Sequence, residues 1–220
     1  MSNYPIKKYK EENMQQLIQK IQEFKKTKIK NQIDKRIQEF KNTNKESKEE
    51  LFNELCFCLL TANFNAEKSI KIQKNIGECF LTDSKEELIE KLKKYGHRFP
   101  NARAEYIHKA KNYKDKLKEV VCLQDKKELR EWIVNNVNGI GYKESSHFLR
   151  NIGFDDYAII DFHIIDLLVK YRLIKRPKTI TKNKYLEIEK ILKKIAEKTN
   201  LTLAELDLYL WYMETGKILK

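Results

Sequence analysis

Apolar residues recur at helical spacing along almost the whole chain, and that regularity limits the fold more than any single motif does. Met14, Leu17, Ile18, Ile21 and Phe24 form one stripe, Ile29, Ile33, Ile37 and Phe40 a second, and Leu51, Phe52, Leu55, Cys56, Leu59 and Leu60 a third. The same period returns at Leu88 and Leu92, at Trp132, Ile133 and Val137, along Leu186, Ile188, Ile191, Leu192 and Ile195, and from Leu203 through Leu206 and Leu210 to Met213. Only YAIID at 157–161 reads as extended, and so short a run cannot carry a sheet. The expected fold is all-α.

A chain of 220 residues has room for one large domain or two small ones. Turn signals fall at GHRFPNAR (96–103), VNGIG (137–141), IGFDD (152–156) and RPKT (176–179), with no low-complexity linker and no repeat at solenoid spacing. Residues 1–13, polar and lysine-rich, are expected as a loose extension, and 14–220 as the helical body. Cys56, Cys58, Cys79 and Cys122 contain no C-x-x-C pair and no His cluster at ligand spacing. They are expected as buried free thiols in a reducing compartment, with no metal site. No run approaches the roughly 18 apolar residues of a membrane span, and the start lacks the apolar core of a signal peptide, so an intracellular protein with no membrane partner is expected. The charge of +13 has two readings: a polyanionic partner such as nucleic acid, or the lysine enrichment of heat-adapted and compositionally biased proteins.

NNVNGIGYKESSHFLRN sharpens the first reading. A helix ending near Val137, a turn with glycines at 139 and 141, and a new helix from Tyr142 make an αα-hairpin, placed at about 128–152. The glycines either punctuate two packed helices or let a partner approach closely, with unpaired N–H groups at the second helix start available to a phosphate. Lys143 lies in that first turn, where the helix dipole disfavours an ammonium, and a neutral amine is a nucleophile. Eighteen residues later Asp161 closes the apolar YAII and opens FHIIDLLVKY. It suits an N-cap, and a carboxylate so held can also stabilise positive charge or accept a proton. His163, in the same turn, has two readings, a phosphate contact or a packed ring.

The segments LCFCLLTANFNAEKSI, GHRFPNARAEYI, GIGYKESSHFLRNIG, YAIIDFHI and LAELDLYLWYMETGKILK, in this order, resemble the second, archaeal-type family of 8-oxoguanine DNA glycosylase/lyases, within the helix-hairpin-helix DNA glycosylase superfamily. The resemblance spans roughly residues 15–220. It implies two interleaved helical subdomains flanking a DNA-binding cleft, acting as a monomer on double-stranded DNA that contains 8-oxoguanine, and associated with the nucleoid. It implies that Lys143 forms the Schiff base and that Asp161 assists it. Gly139, Ile140, Gly141 and His163 would hold DNA phosphate, while Trp211, Lys220, Asn63 and Phe64 would serve base recognition. For Trp211 a place in the core, for Lys220 a frayed terminus, and for Asn63 a helix C-cap are the structural alternatives.

No cofactor and no catalytic metal is implied, and with no cysteine after 122 the iron–sulfur cluster of related branches is excluded. Phe162 stands where relatives carry a polar side chain, so it either removes one backbone contact or packs into the core. The alternatives in function are a non-catalytic helix-hairpin-helix DNA-binding module and a glycosylase for another damaged base.

Overall fold

A computed structural model describes residues 4–43, 47–123 and 125–220, and among these residues the secondary structure is helical with no strand. The helices are α1 (Tyr4–Lys25), α2 (Lys28–Thr43), α3 (Lys48–Thr61), α4 (Ala66–Ile76), α5 (Cys79–Thr82), α6 (Lys85–Lys94), α7 (Pro100–Ala110), α8 (Lys114–Leu123), α9 (Lys126–Asn136), α10 (Tyr142–Asn151), α11 (Phe162–Lys170), α12 (Lys182–Thr199) and α13 (Leu203–Thr215). They fall into two compact units, one of residues 1–39, 154–218 and 220, the other of residues 40–153 and 219. The first unit is thus assembled from both ends of the chain.

In the middle unit α3 is the central element, packed by α4, α7, α8 and α10. Its sequence reads as a stripe, yet every residue from Leu51 to Thr61 except Asn53 is buried. A helix apolar on nearly all sides belongs in an interior. Its buried carboxylate is satisfied: Glu54 accepts from Asn151 Nδ2 at 2.6 Å and from Gln73 Nε2 at 3.2 Å. Asn151 Oδ1 in turn accepts from Arg150 Nε at 3.0 Å, so the end of α10 is tied to α3.

In the other unit α12 and α13 pack with α1, and α11 packs on α13. Caps set the boundaries: Thr202 and Glu205 form a capping box at α13, Thr181 caps α12, and Asn200 and Gly216 end the two helices in left-handed conformation. The extended look of YAIID has a clear physical basis. Tyr157 to Ile160 are buried, and their backbone bonds to α12 side chains instead of a strand. Tyr185 Oη donates to Ala158 O at 2.6 Å and accepts from Ile160 N at 3.3 Å, while Ala158 N donates to Glu189 Oε1 at 3.1 Å.

α1 begins at Tyr4, within the stretch 1–13 read as an extension; Met1–Asn3 lie outside the described residues. All four cysteines are free, but only Cys56 and Cys58 are buried, with Cys79 half-buried and Cys122 exposed. Phe162 does not pack into the core: it is exposed. No helix among the described residues is long and apolar enough to cross a membrane.

Candidate active site

The hairpin belongs to the middle unit. α9 ends at Asn136, Ile140 N closes the turn onto Val137 O at 3.3 Å, and Ile140 is buried beneath it. The two glycines differ in purpose. Gly139 has φ +84°, and a Cβ there would lie 2.3 Å from the Tyr106 ring, so both backbone and space demand glycine. Gly141 has an ordinary φ of −102°, and its Cβ would meet nothing nearer than Glu144 at 3.6 Å. The conformational freedom of glycine is thus needed at 139 and not at 141. Gly141 is the N-cap of α10 and, having no side chain, makes no cap hydrogen bond to the first turn. Lys143 follows in that turn, its side chain 24% exposed, with Nζ 3.6 Å from Glu144 Oε1.

Beside the hairpin lies a device the sequence disclosed only as a turn. The last carbonyls of a helix lack intrahelical donors, and α3 ends without a glycine. Cys58 O accepts from Thr61 Oγ1 at 2.9 Å, and Thr61 O accepts from Phe64 N at 3.1 Å. Leu60 O accepts from His97 Nε2 at 3.0 Å, and Ala62 O accepts from the Arg103 guanidinium. His97 Nδ1 accepts from Phe99 N at 3.0 Å, which places the imidazole proton on Nε2. Burial pushes the His97 pKa down, consistent with this neutral form, and burial likewise draws the Arg103 guanidinium below its usual value.

Arg103 also faces the Tyr106 ring at 5.7 Å, the ring that bears on Gly139. Asn63 follows Ala62 in left-handed conformation, φ +57°, exposed, and the neighbouring Phe64 ring lies 4.1 Å from His97. Ala62 rather than Asn63 is the C-cap of α3, and Asn63 lies one residue beyond it, after carbonyls held by side chains from α7 and the turn before it. No local pattern singles out Arg103, because the carbonyl it meets lies 41 residues away in the chain.

Asp161 belongs to the other unit and is the N-cap of α11, its Oδ1 accepting from Ile164 N at 2.9 Å. His163, two residues on, is half-buried, with its ring stacked on Phe162 at 4.1 Å and set edge-on to Trp211 at 4.7 Å and 85°. Trp211 is half-buried rather than in the core, and its Nε1 is enclosed without a hydrogen-bond partner. Lys220 is half-buried as well. Among the described residues no three His, Cys, Asp or Glu side chains converge as metal ligands.

A helical body with a tight glycine hairpin and a lysine in the first turn of its second helix is a helix-hairpin-helix protein. The 8-oxoguanine DNA glycosylase family matches over residues 33–201. The 8-oxoguanine DNA glycosylase/AP lyase of Methanocaldococcus jannaschii is 57% identical over 206 residues, 93% of this chain and 99% of the relative. The crystal structure of that enzyme in complex with a 15-mer DNA containing 8-oxoguanine superposes with a TM-score of 0.91 at 56% identity, covering 93% of this chain and 100% of that one. The 8-oxoguanine DNA glycosylase of Thermotoga maritima superposes with a TM-score of 0.89 at 43% identity, covering 94% and 100%. The chain belongs to the 8-oxoguanine DNA glycosylase family.

Proposed function

We propose that this protein is a bifunctional base-excision repair enzyme that removes 8-oxoguanine from duplex DNA and then cleaves the strand. The target nucleotide must leave the stack first, because the glycosidic carbon is out of reach inside the duplex, and extrusion costs a few kcal/mol that contacts must offset. The Lys143 amine attacks C1′, and the bond to N9 breaks with its electron pair leaving on the base. The sugar ring opens to a Schiff base on Lys143. Loss of a C2′ proton then expels the 3′ phosphate by β-elimination, and water releases the lysine. Asp161 stabilises the cationic sugar and shuttles protons. Neither step requires a cofactor or a metal.

The observation that carries this reading is the position of Lys143: a half-buried amine in the first turn of the hairpin's second helix, two residues after a glycine N-cap that has no side chain. The amides around Gly139, Ile140 and Gly141 would bind a phosphate of the same strand, with His163 a further phosphate contact, and the charge of +13 would add sequence-independent affinity. Base recognition falls to Trp211 and Lys220. The oxidised base gains an N–H donor at N7, from which a backbone carbonyl beside these residues can accept. Asn63 and Phe64 face the gap left by extrusion. The enzyme works inside the cell, at the nucleoid, as a monomer.

Borohydride trapping tests the reading. The wild type becomes covalently linked to a duplex containing 8-oxoguanine, and Lys143→Gln reduces the adduct to background. A non-catalytic hairpin module would bind the same duplex without any adduct, and a glycosylase for a different base would trap only on another lesion.

A further inference from the structure

Phe162 is 66% exposed, against 36–40% for Tyr95, Phe99 and Ile180, the other exposed large apolar side chains among the described residues. Burying a phenyl ring is worth about 1.5–3 kcal/mol, so folding gains nothing from holding this one in water. A lone exposed apolar residue needs no explanation. Phe162, however, is not alone. It follows Asp161 directly, its ring stacks on His163 at 4.1 Å with a 37° tilt, and His163 meets Trp211 edge-on at 4.7 Å. The three rings form a column from solvent to an enclosed indole N–H that has no hydrogen-bond partner. Folding accounts neither for the exposed outer face nor for the orphaned donor within. An aromatic ring bound to its neighbour on one side and open on the other offers its free face to another ring, and bases stack on such faces with little regard to sequence.

We propose that Phe162 is a substrate-stacking residue, its outer face receiving an unstacked nucleobase of the lesion-bearing strand beside the carboxylate of Asp161. This rests on the DNA-repair function proposed above. An extruded nucleotide leaves bases with an uncovered face, and a preordered phenyl ring replaces part of the lost stacking. His163 holds the ring in place and Trp211 backs the histidine.

The test is binding, which does not depend on turnover. Affinities are measured for a duplex carrying 2′-fluoro-8-oxoguanine, which resists cleavage, and for the undamaged duplex of the same sequence. Phe162→Ala weakens lesion binding roughly tenfold, equivalent to about 1.4 kcal/mol. Binding to undamaged DNA stays within roughly twofold and Tm within about 2 °C, because an exposed ring contributes little to folding. Phe162→Trp keeps wild-type discrimination. The proposal is overturned if Phe162→Ala binds the lesion duplex like the wild type, or loses affinity equally for both duplexes. It is also overturned if Phe162→Leu restores binding in full, since a generic apolar contact would then suffice. A wild type with no preference for the lesion would instead defeat the repair function itself.

Discussion

At the start of α11 the Asp161 carboxylate accepts from Ile164 N at 2.9 Å, so any substitution there changes a helix cap as well as the chemistry proposed for it. The two contributions separate by choice of variant. Asparagine is as good an N-cap as aspartate, whereas alanine costs about 0.5–2 kcal/mol of helix stability. Asp161→Asn should leave Tm within about 2 °C of wild type and still slow base excision by at least about 100-fold, the lower end of general acid–base effects. Asp161→Ala should show the same kinetic loss together with a lower Tm. Excision at the wild-type rate in the asparagine variant would remove Asp161 from the mechanism. Both Lys143 and Asp161 could be picked out from sequence because each sits at a helix start announced by its neighbours, a glycine turn for one and an apolar run for the other. Arg103 could not, since its partner is the carbonyl of Ala62, 41 residues away in the chain.

Two short connections of the middle unit meet through Arg103 and Tyr106, the αα-hairpin between α9 and α10 and the turn after α3. In the hairpin the sequence shows two glycines of equal weight, and the fold gives them unequal ones. Gly139→Ala brings a methyl carbon within 2.3 Å of the Tyr106 ring at φ +84°, so the turn must rebuild. A loss of about 1–3 kcal/mol in stability is expected, with weakened binding to any duplex. Gly141→Ala meets only Glu144 at 3.6 Å in an ordinary backbone conformation, and should change stability by less than about 1 kcal/mol. Denaturant unfolding of the two variants measures the difference, and equal losses would contradict the asymmetry. The YAIID segment teaches the complementary lesson. Its strand-like composition reflects burial on both sides, but its backbone partners are Tyr185 and Glu189 of α12, which no pattern within five residues can reveal.

For the molecule as a whole, the pH dependence of stability carries a signature of His97. Burial depresses its folded pKa below the ordinary 6.5, while the unfolded chain keeps that value. Above about pH 6.5 the ring is neutral in both states and contributes no slope. As pH falls below that value the unfolded chain takes up a proton that the folded ring refuses, so stability is lost until the folded pKa is passed. Protonation would also place a hydrogen on Nδ1, opposite the Phe99 N–H now 3.0 Å away. Thermal melts between pH 7.5 and 5 should show Tm falling toward acid, and His97→Gln should flatten that slope by removing the imidazole. A slope unchanged by the substitution would assign it to other groups.

The sequence by itself determined the all-α class, the hairpin, and the places of Lys143 and Asp161 at helix starts, because helical periodicity, glycine turns and N-caps are encoded within a few neighbouring residues. It also carried the family, since five separated motifs in one order are a property of the chain alone. Tertiary structure decided the rest. Only it set Gly139 apart from Gly141, gave the carbonyls of α3 to His97 and Arg103, left Phe162 exposed at the end of an aromatic column, and buried α3 nearly all round. Each of these depends on groups distant in sequence meeting in space, where a carbonyl needs a donor and a ring needs a face, and local pattern holds no record of which distant residue will supply it.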